Sequence, residues 1–266
     1  MADSGKVVLV TGATDGLGRE VARLLAARGF TILAHGRDSR RGEALASELA
    51  AAGATARFYR SDFAELAQVA AMADEILDRE PRLDVLINNA GIMELERIES
   101  ADGNELPFQV NYLAPYRLTM KLLPLLERSA PARIVNVSSL GQAPIDFDDV
   151  MLERRWDRQQ SYCQSKLAQV MMTLDMAPAL ASRGISVTAL HPGTFMPTKM
   201  VVGRFPPQTP LAVGAENVVR LAADPALEGV TGRYFHGAEE ARANEQAYDE
   251  DARARLRALS EALVEA

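Results

Sequence analysis

Residues 7–18, VVLVTGATDGLG, place three closely spaced glycines directly after a short apolar run. The apolar run predicts a buried strand, and the residues after the glycines have the spacing of an amphipathic helix. Gly12 permits a tight turn, Gly16 lets backbone N–H groups approach a pyrophosphate, and Gly18 allows the helix to pack closely. The helix N-terminus adds about half a positive charge. The stretch therefore predicts a phosphate-binding turn, and its expected contact residues are Gly12, Thr14, Asp15, Gly16, Leu17 and Gly18.

Strands and helices alternate after this turn. Short, nearly continuous apolar runs recur about every 25–30 residues, with helix-period segments rich in Ala, Leu, Glu and Arg between them. Continuous apolar strands are typical of a parallel sheet covered on both faces. We predict an α/β fold: a single doubly wound Rossmann-type domain, residues 1–266, whose parallel sheet has helices on both faces. The predicted strands are 7–10, 31–34, 56–59, 85–87, 134–137 and 185–190, and the predicted helices are 17–28, 40–51, 64–79, 112–126 and 161–181.

Length and composition exclude several protein classes. The chain has 266 residues, of which 48% are hydrophobic and 24% charged, and these values exclude disordered, collagen-like and disulfide-scaffold chains. The net charge of −7 argues against nucleic acid or an anionic membrane as a partner. A single cysteine, Cys163, excludes an intrachain disulfide and a multi-cysteine metal site, so no metal is expected. The start resembles no signal peptide, and no run of about 18 apolar residues occurs, which predicts a cytoplasmic protein.

Two long segments, residues 140–160 and 194–210, interrupt the alternation. Both follow strands, at the sheet edge where α/β proteins bind ligands, and long loops in a compact domain are usually functional. The second segment carries four prolines and two methionines. Together with Phe147 and Trp156 it is expected to form a largely apolar lid over a hydrophobic substrate. The alternative is that these side chains pack on the sheet or on a partner subunit.

Five further motifs follow the glycine turn in order. Residues 88–91 are Asn-Asn-Ala-Gly, Asn111 opens a predicted helix, and residues 134–139 form an apolar strand ending in two serines. Tyr162 and Lys166 are four positions apart, and residues 191–193 are His-Pro-Gly. With the glycine turn, these motifs resemble the short-chain dehydrogenase/reductase family over roughly residues 6–193. The long spacing between the second serine and the tyrosine is similar to that of its retinol-dehydrogenase-like branch.

The resemblance implies four catalytic residues, Asn111, Ser139, Tyr162 and Lys166. Tyr162 and Lys166 share one helix face, although an ordinary amphipathic helix would also place them so. An adjacent ammonium and an oxidised nicotinamide would lower the tyrosine pKa by about three units, which needs about 4 kcal/mol. Ser139 would face the substrate oxygen, and strand alternation sends its neighbour Ser138 to the opposite side. Asn111 would position a relay water or, alternatively, cap a helix N-terminus.

The implied activity is hydride transfer between nicotinamide and a carbonyl or secondary alcohol of a hydrophobic small molecule, with Tyr162 exchanging the proton. A second interpretation is a non-catalytic nicotinamide-binding sensor. A third is a C=C reductase of the same family. The family also implies pairing between subunits through the helices at 112–126 and 161–181, so a homodimer or homotetramer is expected.

The second predicted strand indicates which nicotinamide cofactor is bound. It ends at residues 35–37, His-Gly-Arg, with glycine where an NAD-binding acid often stands. Arg37 can reach a 2′-phosphate as a planar donor, and Arg40 and Arg41 follow it. Asp38 is expected to cap the next helix. Asp15 counts against this interpretation, because NADP-binding members often carry a basic residue there. We predict NADP(H), with NAD(H) as the alternative.

The remaining cofactor contacts follow from the resemblance. Asp62 would accept a hydrogen bond from the adenine amine, although it could equally cap the helix beginning near Ala64. The family has a threonine after the Pro-Gly turn that contacts the carboxamide, and neither candidate has the usual spacing. The remaining expected contacts are Phe63, Asn89, Ala90, Gly91, Tyr162, Lys166, Pro192, Gly193, Thr194 and Thr198. The chain contains only four lysines among its 29 basic residues, and Lys166 alone has an expected chemical role.

Overall fold

The strands form one sheet in the computed structural model, which describes residues 5–203 and 205–265. Within these residues the strands are β1 (Val7–Val10), β2 (Thr31–Gly36), β3 (Ala56–Arg60), β4 (Val85–Asn88), β5 (Ala132–Val137), β6 (Ile185–His191), β7 (Arg233–His236) and β8 (Glu239–Ala241). Their order across the sheet is β3-β2-β1-β4-β5-β6-β7-β8. Neighbours are parallel except for β7 and β8. The predicted α/β fold is confirmed, and its winding reverses between β1 and β4.

Helices cover both faces of this sheet, so the strands are buried from two sides. The helices are α1 (Gly16–Ala27), α2 (Ser39–Ala51), α3 (Leu66–Arg79), α4 (Leu106–Phe108), α5 (Ala114–Arg128), α6 (Arg158–Ala181), α7 (Leu211–Ala223) and α8 (Glu250–Glu265). One apolar cluster lies between the sheet and α1, α2 and α7. The other packs α3, α5, α6 and α8 on the opposite face. In the described part of the chain, no helix is both long and apolar enough to cross a membrane.

The helix predicted at residues 112–126 begins earlier than the sequence pattern suggests. It starts with α4 and continues through a π-helical turn, Gln109–Leu113, into α5. Glu105 caps its start by accepting a hydrogen bond from the Phe108 N–H at 2.8 Å. A π-helical turn shifts the following residues around the helix axis and often occurs at functional sites. Here the turn contains Asn111, one of the expected catalytic residues.

The C-terminal helix α8 covers the helices through which subunit pairing is expected. The Tyr112 hydroxyl and Ser260 Oγ are 2.7 Å apart, and Arg257 Nη1 lies 2.6 Å from Asp175 on α6. Most residues in the first two thirds of α6 are buried within the chain itself. Assembly into a homodimer or homotetramer stays a prediction.

Candidate active site

A cleft of about 980 Å³ lies at the carboxyl ends of β1, β4, β5 and β6. This is the point where the winding reverses, and in open α/β sheets ligands bind there because adjacent loops diverge to opposite faces. The structure brings all of the expected cofactor contacts to the cleft wall, together with three of the four expected catalytic residues. The expected contacts lining the cleft are Gly12, Thr14, Asp15, Gly16, Leu17, Gly18, Arg37, Asp62, Phe63, Asn89, Ala90, Gly91, Ser139, Tyr162, Lys166, Pro192, Gly193, Thr194 and Thr198.

The glycine turn has the backbone conformation that its sequence predicts. Gly12 and Gly16 have φ angles of 65° and 48°, where a side chain would be strained. A Cβ built on Gly18 would lie 2.3 Å from the Gly12 carbonyl oxygen. Asp15 caps α1 and accepts a hydrogen bond from the Gly16 N–H at 2.9 Å. The turn thus leaves the N-terminus of α1 at the cleft, and this cradle fits the pyrophosphate of a dinucleotide.

Thr11 joins the glycine turn to the loop after β4, a role that the sequence analysis did not identify. Its Oγ1 accepts hydrogen bonds from the backbone N–H groups of Asn89 and Ala90, at 2.9 and 3.0 Å. The side-chain amide of Asn89 donates to the Thr11 carbonyl at 2.8 Å. The glycine turn and the loop after β4 are therefore held together by groups that are 78 and 79 positions apart.

His35 lies beneath the glycine turn and was also missed in the sequence. Its Nδ1 accepts a hydrogen bond from the Gly12 N–H at 3.2 Å, so its Nε2 carries the proton and donates to the Ser61 carbonyl at 3.1 Å. The ring stacks on Phe63, with centroids 4.2 Å apart. Burial lowers the pKa of His35 to about 4, against weaker opposing effects of Ser61 and Asp62. The histidine is therefore neutral at pH 7.

Acidification is expected to destabilise the protein through His35. Its pKa is about 4 in the folded chain and has the ordinary histidine value of 6.5 when the chain is unfolded, so the unfolded chain binds more protons between these values. Stability therefore falls as the pH drops through this window, by up to about 1.4 kcal/mol per pH unit. The measurement is the free energy of urea unfolding at several pH values, for the wild type and His35→Gln. The variant should have a shallower slope than the wild type, while the buried His191, whose pKa is also lowered to about 4, keeps part of the slope in both proteins. Equal slopes in the two proteins would contradict the assignment.

Ser139, Tyr162 and Lys166 meet on the other wall of the cleft. The Ser139 hydroxyl hydrogen-bonds to Tyr162, and Lys166 Nζ lies 5.8 Å from the centroid of the tyrosine ring. Ser138 Oγ donates to the Lys166 backbone carbonyl at 2.7 Å, so its hydroxyl is engaged by α6, and both serines line the cleft. The Tyr234 hydroxyl donates to the Ser139 carbonyl at 2.9 Å and holds the segment after β5 in place.

The pKa values of the tyrosine and the lysine differ from the expectation. Burial raises the pKa of Tyr162 to about 12, and the hydrogen bond with Ser139 only partly opposes it. Burial lowers the pKa of Lys166 to about 7. Lys166 is not among the groups that shift the pKa of Tyr162 in the chain without cofactor, and its Nζ donates to the Val137 carbonyl and to Gln169. That the lysine and an oxidised nicotinamide together lower the tyrosine pKa stays a prediction.

Asn111 lies directly behind the cleft wall and does not line it. Its Oδ1 accepts a hydrogen bond from the Ile92 N–H at 2.8 Å, and its Nδ2 donates to the Ile92 carbonyl and to Ser165 Oγ. The alternative of a helix N-terminal cap is wrong, since Asn111 is inside the π-helical turn. A Cβ on Gly91 would lie 3.4 Å from Asn111 Oδ1 and 3.3 Å from Lys166 Nζ. The relay role of Asn111 stays a prediction.

Two aspartates near the second and third strands cap backbone turns. Asp38 caps α2 as expected, accepting a hydrogen bond from the Arg41 N–H at 3.1 Å. Asp62 accepts from the Ala64 N–H at 3.0 Å, although α3 begins only at Leu66. Asp62 therefore caps the turn before the helix and also lines the cleft. Its contact with adenine stays a prediction.

Positive side chains neutralise Asp15 at the phosphate turn. Arg41 Nη1 lies 3.4 Å from its carboxylate, and Lys199 pairs with the same group. The Lys199 contact is the largest cause that lowers the pKa of Asp15. Lys199 belongs to the segment 194–210, and the sequence analysis assigned it no role. The sequence did contain an indication of a role for Lys199, because it is one of only four lysines in an arginine-rich chain.

The two candidate threonines have different neighbours. Thr198 lies against the glycine turn, since a Cβ on Gly16 would be 3.3 Å from its methyl group. Thr194 Oγ1 is 3.0 Å from His191 Nε2, and its backbone N–H donates to Thr209. Both threonines line the cleft, and their contact with the carboxamide stays a prediction.

The two long loops contribute unequally to the cleft. In the segment 194–210, Phe195 and Phe205 stack with centroids 4.6 Å apart, and both line the cleft. Phe147 instead packs against the core beneath Arg255, and Trp156 Nε1 donates to the buried Glu105 at 3.2 Å. The prediction that Phe147 and Trp156 belong to the lid is therefore wrong. Both side chains are half-buried, and the hydrogen bond to Glu105 satisfies the indole N–H of Trp156.

Comparisons with known proteins agree with this site. A family model described as short chain dehydrogenase matches residues 6–208. Human retinol dehydrogenase 14 is 36% identical over 291 aligned residues, which cover 98% of this chain and 86% of that protein. A solved structure from Mycobacterium paratuberculosis has a TM-score of 0.79 at 30% identity, covering 98% of this chain and 94% of that one. The Pseudomonas aeruginosa RhlG/NADP active-site complex has a TM-score of 0.74 at 26% identity, covering 88% and 94%. The chain belongs to the short chain dehydrogenase family, in its retinol-dehydrogenase-like branch, and is an NAD(P)-dependent dehydrogenase/reductase.

Proposed function

We propose that the protein transfers a hydride between NADP(H) and a carbonyl or secondary alcohol of a hydrophobic small molecule. The observation that carries this proposal is the meeting of Ser139, Tyr162 and Lys166 in the same cleft as the glycine turn. A hydroxyl donor and a titratable phenol beside a nicotinamide are the groups that carbonyl reduction requires. NADP(H), when bound, supplies or accepts the hydride.

Each of these residues has a distinct task in the proposed reaction. Ser139 holds the substrate oxygen with its hydroxyl, and Tyr162 exchanges the proton with that oxygen. Lys166 donates hydrogen bonds to ribose hydroxyls and keeps a positive charge near the phenol. Its amine is buried close to Gly91 in the cleft wall. The glycine turn and Arg37 hold the phosphates.

The apolar lining supports a hydrophobic substrate. Met93, Leu140, Met200 and the stacked Phe195 and Phe205 rings line the cleft. Specific substrate pockets are mostly apolar with a few polar groups that orient the ligand. The similarity to human retinol dehydrogenase 14, whose name specifies an apolar alcohol, supports the same substrate class.

The test of this function is a turnover screen with NADPH against apolar ketones, aldehydes and quinones. NADPH oxidation with an alcohol as product would support the proposal. A saturated carbonyl as product would instead indicate a C=C reductase. Tight cofactor binding without turnover across the screen would favour the nicotinamide sensor.

Two arginines near the second strand support the choice of NADP(H). Arg37 and Arg41 line the cleft, whereas Arg40 is exposed and lies outside its wall. Asp15, which counted against a 2′-phosphate, is neutralised by Arg41 and Lys199. The residue after His35 is Gly36, so no carboxylate at this position would repel a 2′-phosphate. The similar P. aeruginosa protein was solved with NADP, which agrees with this choice.

Arg37→Ala is expected to lower the ratio of kcat/KM for NADPH to that for NADH by about 10- to 100-fold, and Arg41→Ala should lower it in the same direction. Charge-assisted hydrogen bonds to a phosphate contribute about 1.5–3 kcal/mol, and NADH lacks that phosphate. The measurement is steady-state kinetics with both cofactors at one carbonyl substrate.

Arg40→Ala is the matched control, because it removes the same charge just outside the cleft. It should change the NADPH to NADH ratio less than about threefold, through long-range charge alone. If the wild type prefers NADH, or if all three variants change the ratio equally, the assignment of these arginines to a 2′-phosphate is wrong.

A further inference from the structure

The amine of Lys166 is held by two neutral oxygens inside the protein. Its Nζ donates to the Val137 carbonyl on β5 and to Gln169 Oε1 on the next turn of α6, each at 3.0 Å. Lys166 is 4% exposed and Gln169 is fully buried. An ammonium has three N–H groups, so these two contacts leave one for a ligand in the cleft.

A buried polar chain runs from the backbone of Gln169 into the sheet. Thr173 Oγ1 donates to the Gln169 backbone carbonyl at 2.9 Å and accepts from Asn136 Nδ2 at 2.8 Å. Asn88 Nδ2 in turn donates to Asn136 Oδ1 at 2.9 Å. The chain links α6 to β5 and β4 behind the cleft.

The amide nitrogen of Gln169 lowers the stability of the fold locally. Among the described residues, Gln169 Nε2 is buried without a hydrogen-bond partner. A buried donor left unsatisfied destabilises a fold, and a methionine of similar shape would avoid the cost. The side-chain hydrogen bond that Gln169 does make goes to Lys166. Its oxygen therefore acts on the lysine, while its nitrogen does not help the fold.

We propose that Gln169 is a positioning residue, whose side-chain oxygen orients the Lys166 ammonium and keeps it protonated while the third N–H faces the cleft. The importance of this orientation for turnover rests on the proposed function, in which Lys166 donates to the cofactor ribose. The contact itself is a property of the chain alone.

The surroundings of Lys166 make the oxygen of Gln169 significant. The groups that face its amine from the packed elements are Tyr162 on α6, the Val137 carbonyl on β5, Gly91 after β4 and Asn111 Oδ1 behind it. These groups are uncharged at pH 7, since burial raises the pKa of Tyr162 to about 12. Burial is the cause of the lowered lysine pKa, and no charged group in the described residues contributes. Neutral acceptors are therefore what favours the ammonium here.

The scarcity of lysine makes a direct test practical. In the full chain without cofactor, selective ¹³C labelling at the lysine side-chain carbon next to the amine gives four NMR signals, and Lys166→Met identifies one of them. We expect the Lys166 titration midpoint to fall by about one pH unit in Gln169→Met and to rise by at least about one unit in Gln169→Glu.

Gln164 offers a matched control on the same helix. It is also fully buried, and its Nε2 donates to the Val150 carbonyl at 2.8 Å and not to any group that holds Lys166. Gln164→Met should leave the Lys166 midpoint within about 0.3 units of the wild type. Equal shifts in the two methionine variants, or no shift in the Gln169 series, would overturn the proposal. If Gln169→Glu does not fold, Gln169→Met decides the question alone.

Enzyme kinetics separate this proposal from the proposed function. For carbonyl reduction, the high-pH limb of kcat/KM should move down in Gln169→Met and up in Gln169→Glu, because the ammonium is the active form. If the Gln169 variants shift the Lys166 midpoint as expected but the wild type shows no turnover, the proposed function is refuted and the positioning role stands. If the wild type turns over but the Gln169 variants change neither the high-pH limb of kcat/KM nor the Lys166 titration midpoint, the positioning role alone is refuted.

Discussion

Tyr162→Phe is expected to lower kcat/KM for carbonyl reduction by about 10²- to 10⁴-fold, the usual contribution of a positioned proton donor. The substitution removes one hydroxyl and keeps the buried ring, so the cleft and α6 should be unchanged. Cofactor affinity should stay within about threefold, since the glycine turn and Lys166 remain in place. Steady-state kinetics and fluorescence titration with NADPH measure the two quantities separately.

Tyr234→Phe provides the matched control for this prediction. Tyr234 also places a hydroxyl beside Ser139, but it donates to the backbone carbonyl and not to the serine side chain. Its loss should reduce kcat/KM by less than about tenfold, the effect of one neutral hydrogen bond. A Tyr162→Phe variant as active as Tyr234→Phe would show that the proton comes from another group.

Gly18→Ala is expected to disrupt the phosphate turn and cofactor binding together. The new Cβ would lie 2.3 Å from the Gly12 carbonyl oxygen and 2.5 Å from Asn89 Nδ2, so the backbone itself must move. Overpacking of this kind costs about 1–3 kcal/mol of stability. The moved N–H groups would weaken phosphate hydrogen bonds, and the affinity for NADPH should fall by about 10- to 100-fold. Urea unfolding and NADPH titration measure these two effects.

Gly53→Ala separates this packing clash from backbone strain. Gly53 has a φ of +86°, and a Cβ there would meet no atom within 4 Å. Its replacement should cost about 1–2 kcal/mol through the left-handed backbone and leave the affinity for NADPH unchanged. If Gly18→Ala binds NADPH as tightly as Gly53→Ala does, the turn is not the phosphate site.

Local sequence patterns were sufficient for much of this fold. Six strands and the helices between them follow from apolar runs and helical spacing, because both depend on neighbours within a few positions. The glycine turn is equally local, since Gly12, Gly16 and Gly18 meet conformational demands of one short segment. The strand β7, absent from the prediction, is only four residues long and has charged or polar residues at both ends, so its pattern carries little signal.

Active-site residues could be predicted from the sequence where they belong to a family motif. Ser139 and Tyr162 belong to ordered motifs, and the structure brings them to one cleft wall. The motifs say nothing of the side chains behind them, such as Thr11, His35 and Gln169. These residues act through contacts with groups far along the chain or through complete burial, and no spacing rule records either property.

The sequence by itself determined the order of strands and helices, the phosphate turn and the motif residues that face the cleft, because each depends on short-range geometry or on a recognisable pattern. Only the tertiary structure decided that Phe147 packs against the core and Trp156 against Glu105, that α8 contacts α6, and that Lys199 pairs with Asp15. It also decided that Tyr162 has a raised pKa and Lys166 a lowered one. The physical reason is common to these results: desolvation, charge pairing and packing are set by which distant segments meet, and that is a property of the folded chain.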